Sequence, residues 1–201
     1  MDKKRRLINV AIFGGFFLMI VLGVLIWRYN TPSKEHIQKS FDGVMVRESG
    51  EVVPCELKIE GNYTHWYFNA EPDSFQFFNV NDNRPNGFYI NGERYVDVMS
   101  VVFIDKDSDF SILCGFTDGR GNVIANSTLD SFIVDGLCYD FENGKSADRE
   151  TGERCLLVAP ATDKQTAAEQ LEKFIDAEPE LYSLWMYQEG LTSELWQICL
   201  N

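Results

Sequence analysis

The sequence predicts a mainly β fold, an antiparallel barrel or sandwich with C-terminal α-helices, together with one N-terminal transmembrane helix. Three observations lead to this fold class. An apolar run without charges lies near the N-terminus, and short runs rich in β-branched and aromatic residues then alternate with turn signals. After Pro160 the apolar residues change to a helical spacing. The chain therefore divides into an anchor and one outer domain.

Residues 7–27 are predicted to form the transmembrane helix. The run LINVAIFGGFFLMIVLGVLIW has no charged side chain, and a helix of this length is about 30 Å long, the thickness of a bilayer core. The tail 1–6 is basic, so the positive-inside rule places the N-terminus in the cytoplasm and the domain outside the cell membrane. The run is longer than the core of a cleaved signal and lacks a small-residue cleavage site, which favours an uncleaved signal-anchor.

Residues 28–40 are predicted to be a short juxtamembrane stalk. Thr31 followed by Pro32 is typical of a helix N-cap and a first helical position, so a short helix is expected here. A connection of this length holds the outer domain, 41–201, close to the bilayer.

The strands of the domain are predicted from alternation and from turn signals, which include Pro72-Asp73 and Asp135-Gly136. Residues 52–60 show it most clearly, with Val53, Cys55, Leu57 and Ile59 on one face and charged residues on the other. Further strands are expected at 41–48, 63–70, 74–80, 86–91, 97–104, 110–116, 122–126, 129–135, 137–141 and 155–159.

A helical segment, 163–190, is predicted to follow the strands. Asp163 is a suitable N-cap, and Pro179 opens a second helix that Gly190 ends. The final residues LWQICLN are expected to return to the sheet as a strand. The order of barrel, packing helix and closing strand resembles that of lipocalin-like proteins, although the Gly-x-Trp that opens the first strand of that family is absent here.

The charge of the outer domain limits its partners. Setting aside Asp2 and the five cations of the first 28 residues leaves 30 acidic and 13 basic residues, a net charge of about −17. Such a field repels phosphate backbones and anionic lipid headgroups, so no binding of nucleic acid is expected. Cationic protein partners and divalent metal ions are compatible with it, and acidity for solubility is the simpler explanation.

The five cysteines all lie in the outer domain, where disulfides can form. Cys138 and Cys155 flank the polar loop 142–154 and are the preferred pair. The alternative is that several cysteines are small apolar core residues, because Cys55, Cys114 and Cys199 each sit in an apolar run.

Two groups of residues are candidates for binding sites. Asp105, Asp107 and Asp109 alternate, as oxygen ligands of a hard cation can, although an EF-hand loop would need Gly and Glu at two later positions. A solvated hairpin turn is the alternative reading of these aspartates.

The second group is aromatic. Tyr63, His65 and Tyr67 share one face of a predicted strand, so either the C-terminal helices cover that face or the side chains line an apolar pocket.

No sequence motif names a reaction. The Thr-Leu-x-Thr-Cys motif of sortases does not occur around Cys114, and motifs of serine hydrolases and zinc peptidases are also missing. No cofactor is expected. The sequence favours a non-enzymatic interaction module of the cell envelope, anchored by one helix. The alternatives are a carrier or sensor of an apolar ligand in a barrel cavity and, more remotely, a Cys-dependent enzyme that needs a thiol near His65.

Overall fold

The computed structural model describes residues 2–66, 73–76, 87–95, 102–104, 110–115, 122–147, 150–180, 182–183 and 192–201. Within these ranges there are three regular helices and eleven strands. In chain order they are α1 (Asp2–Asn30), β1 (Ser33–Arg47), β2 (Val52–His65), β3 (Asp73–Gln76), β4 (Gly87–Ile90), β5 (Glu93–Tyr95), β6 (Val102–Ile104), β7 (Phe110–Gly115), β8 (Asn122–Asn126), β9 (Phe132–Asp140), β10 (Lys145–Ser146), β11 (Glu153–Ala159), α2 (Lys164–Ala177) and α3 (Thr192–Leu200).

Helix α1 is long and apolar enough to cross a membrane. None of its residues from Ile12 to Asn30 is buried against the rest of the chain. Phe13 and Met19, for example, expose 74% and 70% of their surface. So large an apolar surface needs an apolar environment that the rest of the chain does not provide.

The predicted short helix in the stalk 28–40 is wrong, because β1 already begins at Ser33. Every residue from Ser33 to Val46 pairs with β2, starting with the rung between Ser33 and His65. The ladder satisfies the backbone groups that a one-turn helix would leave unpaired, and Pro32 is tolerated just before a strand. The barrel therefore starts three residues after α1 ends.

The strands form a nearly closed antiparallel barrel, which confirms the predicted fold class. Strand β1 pairs with β2 on one edge and with β11 on the other, and the sheet continues through β9 and β8 to β7. On the other side β2 pairs with both β3 and β4, and β3 pairs with β6. Strands β6 and β7 lie next to each other and bring the two ends of the sheet together.

The predicted turn at Asp135-Gly136 is a bulge within one strand, so that the strands expected at 129–135 and 137–141 are joined as β9. Gly136 has φ 72°, a conformation that suits glycine and lets the strand continue past the extra residue.

The register places the two cysteines of the predicted disulfide on opposite faces of the sheet. Cys155 faces the barrel interior opposite Leu137, whereas Cys138 is the next residue along β9 and faces the opposite side.

Two apolar cores lie on the two faces of the sheet. The barrel interior holds Met45, Cys55, Leu57, Ile59, Phe75, Phe88, Ile90, Val123, Ala125, Leu129, Phe132, Val134, Leu137, Tyr139, Cys155, Leu157 and Ala159. The outer core, under α2 and α3, holds Val44, Val46, Phe110, Ile124, Ile133, Leu156, Val158, Ala161, Ala167, Leu171, Phe174, Leu195, Trp196 and Cys199.

Helix α2 begins as predicted, since the Asp163 carboxylate accepts a hydrogen bond from the Thr166 N–H and completes a capping box. The predicted closing strand at 195–201 is wrong, because these residues belong to α3. Trp196 and Cys199, three positions apart, both pack into the outer core, a spacing that suits a helix and not a strand.

Candidate functional site

A buried carboxylate, Asp73, gathers three donors at the end of β2. It is 1% exposed and stands at the start of β3, beside the last rungs of the β2–β3 pair. The Tyr63 hydroxyl donates to its Oδ2 over 2.8 Å, and His65 Nδ1 lies 2.5 Å from the same oxygen. The Trp66 backbone N–H donates to Oδ1 over 2.9 Å. Strands β2 and β3 thus build a polar cluster around a buried carboxylate.

The cluster fixes the chemistry of its two rings. A carboxylate at Nδ1 selects the imidazole tautomer that carries its proton there, as in the second shell of catalytic and metal-binding histidines. Burial raises the pKa of Tyr63 well above its ordinary value, and the neighbouring Asp73 raises it further, so the phenol is a proton donor at neutral pH. The rings of Tyr63 and His65 are stacked with their centroids 6.4 Å apart.

The structure brings two of the three predicted ligand-binding residues together. Tyr63 and His65 meet on Asp73, while Tyr67 lies outside the described residues. Tyr63 packs against the interior core, whereas α2 and α3 cover β1 and β11, so these two helices do not cover this face. Asp73 was missed from the sequence, where Pro72-Asp73 indicated only a turn. The residues next to Asp73 in the sequence do not indicate its contact with His65, because that contact depends on the pairing of β2 with β3.

This cluster lies at the end of the barrel nearest to α1. His65 forms the rung opposite Ser33, and α1 ends at Asn30. Its position in the fold is therefore set by the long β1–β2 hairpin that follows the apolar helix directly.

The structure supports neither a metal site nor a reactive thiol among the residues that it describes. Asp105, Asp107 and Asp109 lie outside the described residues, and within the described ranges no three acidic, Cys or His residues group as metal ligands. Burial raises the pKa of Cys55 to about 12 and that of Cys199 to about 11. Both thiols are protonated at neutral pH, unlike an activated nucleophile.

Two open grooves lie on either side of Asp42. One has a volume of about 430 Å³ and runs between β1 and α2; we call it the α2 groove. It is lined by Ser40, Phe41, Asp42, Pro160, Ala161, Thr162, Thr166, Glu169 and Gln170. The other has a volume of about 420 Å³ and is lined by Asp42, Gly43, Pro54, Cys55, Glu56, Asn91, Ala161 and Thr162.

The grooves are acidic. Asp42, Glu56 and Glu169 contribute carboxylates, and the lining residues that the structure describes include no Lys or Arg. Both grooves open to solvent, and each has apolar residues in its lining, Phe41 and Ala161 in the α2 groove and Pro54 and Ala161 in the other. An extended segment with basic side chains would match this combination of shape and charge.

The described part of the barrel interior is filled by side chains. Met45, Phe75, Phe88 and Phe132 expose none of their surface, and they come from strands on different sides of the barrel. Close packing of large side chains leaves little room for a ligand among them.

Comparison with protein-family models, with curated proteins and with solved structures gives no match for this chain. Its function is therefore inferred from its own residues.

Proposed function

We propose that this chain is a single-pass membrane protein whose barrel domain binds a protein partner on the non-cytoplasmic side and has no catalytic role. The observation that carries the proposal is the packing of Met45, Phe75, Phe88 and Phe132, which fill the part of the barrel interior that the structure describes. Where the interior is filled by side chains, the outer surface is the place for a partner. The open acidic grooves beside Asp42 are the concave surfaces that the described residues offer.

Anchoring supports the same function. The exposed apolar surface of α1 suits a bilayer, and the basic tail before it favours a cytoplasmic N-terminus. Because β1 follows α1 after two residues, the barrel would lie against the membrane surface. A tethered domain meets other membrane proteins at a high effective concentration, so that weak surfaces such as these grooves suffice for binding.

The orientation is tested with a membrane-impermeant amine reagent on intact cells. Lys145, exposed at the start of β10, is expected to react, whereas Lys3 and Lys4 in the tail are expected to react only after the membrane is permeabilised. The opposite order of labelling would contradict the proposed topology. Release of the barrel from washed membranes without detergent would contradict the anchor.

Partner binding is tested by photo-crosslinking of the full chain in its source membrane. A photoreactive side chain is placed at Thr162, between the two grooves, or at Asn143 in an exposed turn as the matched control. We expect a discrete protein adduct from position 162 and none from position 143. Equal labelling at both positions, or no protein adduct at 162, would count against a binding surface at the grooves.

A second candidate function is the carriage or sensing of an apolar ligand. Ile37 and Tyr63 are only partly buried in the half of the β1–β2 hairpin nearer to α1, where an apolar molecule could enter from the bilayer. Detection of a lipid-sized adduct on the native protein would favour this function over the first.

A further inference from the structure

Strand β1 has one edge that is paired over only a short part of its length. With β2 it forms rungs from Ser33 to Val46, but with β11 only from Val44 to Arg47. Beyond these rungs the Ala161 N–H donates to the Asp42 carbonyl. Among the described residues, no strand pairs with this second edge of β1 between Ser33 and Phe41.

The direction of the backbone groups follows from the bond to Asp42. In an antiparallel strand the N–H and C=O of one residue point to the same edge, and successive residues alternate between the edges. Because the Asp42 carbonyl points towards the β11 side, so do the backbone groups of Lys34, His36, Gln38 and Ser40. All four residues are exposed, so solvent reaches this edge.

The edge stays open because β11 leaves it. Pro160 follows β11 and has no N–H to continue the ladder. Asp163 then caps α2, so the chain continues as a helix and forms no further rung with β1. The vacated place borders the α2 groove at Ser40 and Phe41, so an unpaired strand edge and an acidic groove form one continuous surface.

The charge beside the edge indicates the kind of strand that would fit. Asp42 and Glu169 line the groove, and Lys39 of β1 is already bound to Asp130 at 2.5 Å and to the Thr128 carbonyl at 2.9 Å. The described residues that line the groove include no Lys or Arg. A basic side chain on an added strand could therefore pair with these carboxylates without competition from a cation in the groove lining.

We propose that the open edge of β1 accepts an extended basic segment of a neighbouring membrane protein, which adds a strand in the place that β11 vacates. Backbone hydrogen bonds would supply the affinity, and contacts to Asp42 and Glu169 the preference for basic side chains. The inference rests on the proposed function and names its surface and partner. A second copy of the chain is disfavoured as the occupant, because two outer domains of about −17 each would repel one another.

The probe is a short synthetic peptide in which lysine alternates with valine, and its control has glutamate in place of lysine. Binding to the full chain in lipid nanodiscs is followed by fluorescence anisotropy, and amide exchange is measured in parallel. We expect the lysine peptide to bind, the glutamate peptide to bind at least about tenfold more weakly, and protection to appear at Lys34, His36, Gln38 and Ser40.

The variant that tests the edge is Gln38→Pro, with Gln38→Ala as its matched control. Proline removes an N–H that points to the open edge, so it leaves the bonds to β2 intact and is tolerated there. We expect Gln38→Pro to weaken peptide binding by about tenfold or more, the effect of one or two lost backbone hydrogen bonds, and Gln38→Ala to bind within about twofold of the wild type. If Gln38→Pro fails to fold, Lys34→Pro, closer to the start of β1, takes its place.

Unchanged binding to the folded proline variant would overturn the proposal, as would equal binding of the glutamate peptide. A homodimer of the full chain that Gln38→Pro dissociates would assign the edge to a second copy instead. If the peptide experiments fail while position 162 still crosslinks to a partner, the proposed function stands and only this surface is wrong.

Discussion

Replacing Asp73 with Asn should destabilise the barrel by about 2–4 kcal/mol. The asparagine keeps one acceptor oxygen for the Trp66 N–H, but it puts an amide NH₂ where the carboxylate accepts from Tyr63 and approaches His65 Nδ1. Two charge-assisted hydrogen bonds are weakened, each contributing about 1.5–3 kcal/mol, and Tyr63 and His65 recover part of this by reorienting their protons. Asp73→Ala should cost more, because it removes the acceptor of all three described bonds at a site that is 1% exposed.

The assay is urea unfolding of the full chain in detergent micelles, followed by tryptophan fluorescence. Asp130→Asn is the matched control: it removes a carboxylate that accepts from Lys39 but is 58% exposed, so it should cost less than about 1 kcal/mol. If the free energy of unfolding of Asp73→Asn lies within about 0.5 kcal/mol of the wild-type value, this cluster does not hold β2 and β3 together.

Three further outcomes are expected. Phe174→Ala should cost about 3–5 kcal/mol in the same urea assay, because Phe174 is fully buried and its ring lies 5.7 Å from that of Trp196; a loss below 1 kcal/mol would mean that α2 is not a structural cover. Cys55 and Cys155 should resist maleimide at pH 8 and react after denaturation, because burial raises the pKa of both thiols. Mass spectrometry measures the labelling. Rapid labelling of the native protein would place the two thiols outside the barrel interior. The backbone N–H of Thr166 holds the pKa of Asp163 below its unfolded value, so this cap stabilises the fold above about pH 4 and the stabilisation is lost as pH falls through the folded pKa. The wild type should therefore have a higher thermal midpoint than Asp163→Ala at neutral pH, and the difference should shrink in acid. A difference that does not change with pH would contradict this.

Features that depend on local sequence were predictable. The alternation that includes Cys55, Leu57 and Ile59 places these residues in the barrel interior, and the helical spacing of Leu171 and Phe174 places them under α2. Burial of one face imposes a period on the sequence, and that period can be read without knowing the partner element.

Features that depend on distant residues were not predictable. Thr31-Pro32 suits the start of a helix, but the chain continues as a strand because β2 supplies a partner for every rung from Ser33. Asp135-Gly136 suits a turn, but it forms a bulge because β11 pairs on both sides of it. In each segment the long-range ladder outweighs a weak local preference.

The candidate site shows the same limit. Tyr63 and His65 were singled out because they share a strand face, whereas Asp73 becomes their partner only through the β2–β3 register. The open edge of β1 could not be found from the sequence, since it depends on where β11 turns away.

A native mass spectrum of the full chain released from detergent tests most directly whether the barrel binds with its outer surface. We expect a protein mass that equals the sequence mass both before and after denaturation. An additional mass of lipid size that is present in the native state and lost on denaturation would contradict it, and would assign the barrel to the carriage of an apolar ligand.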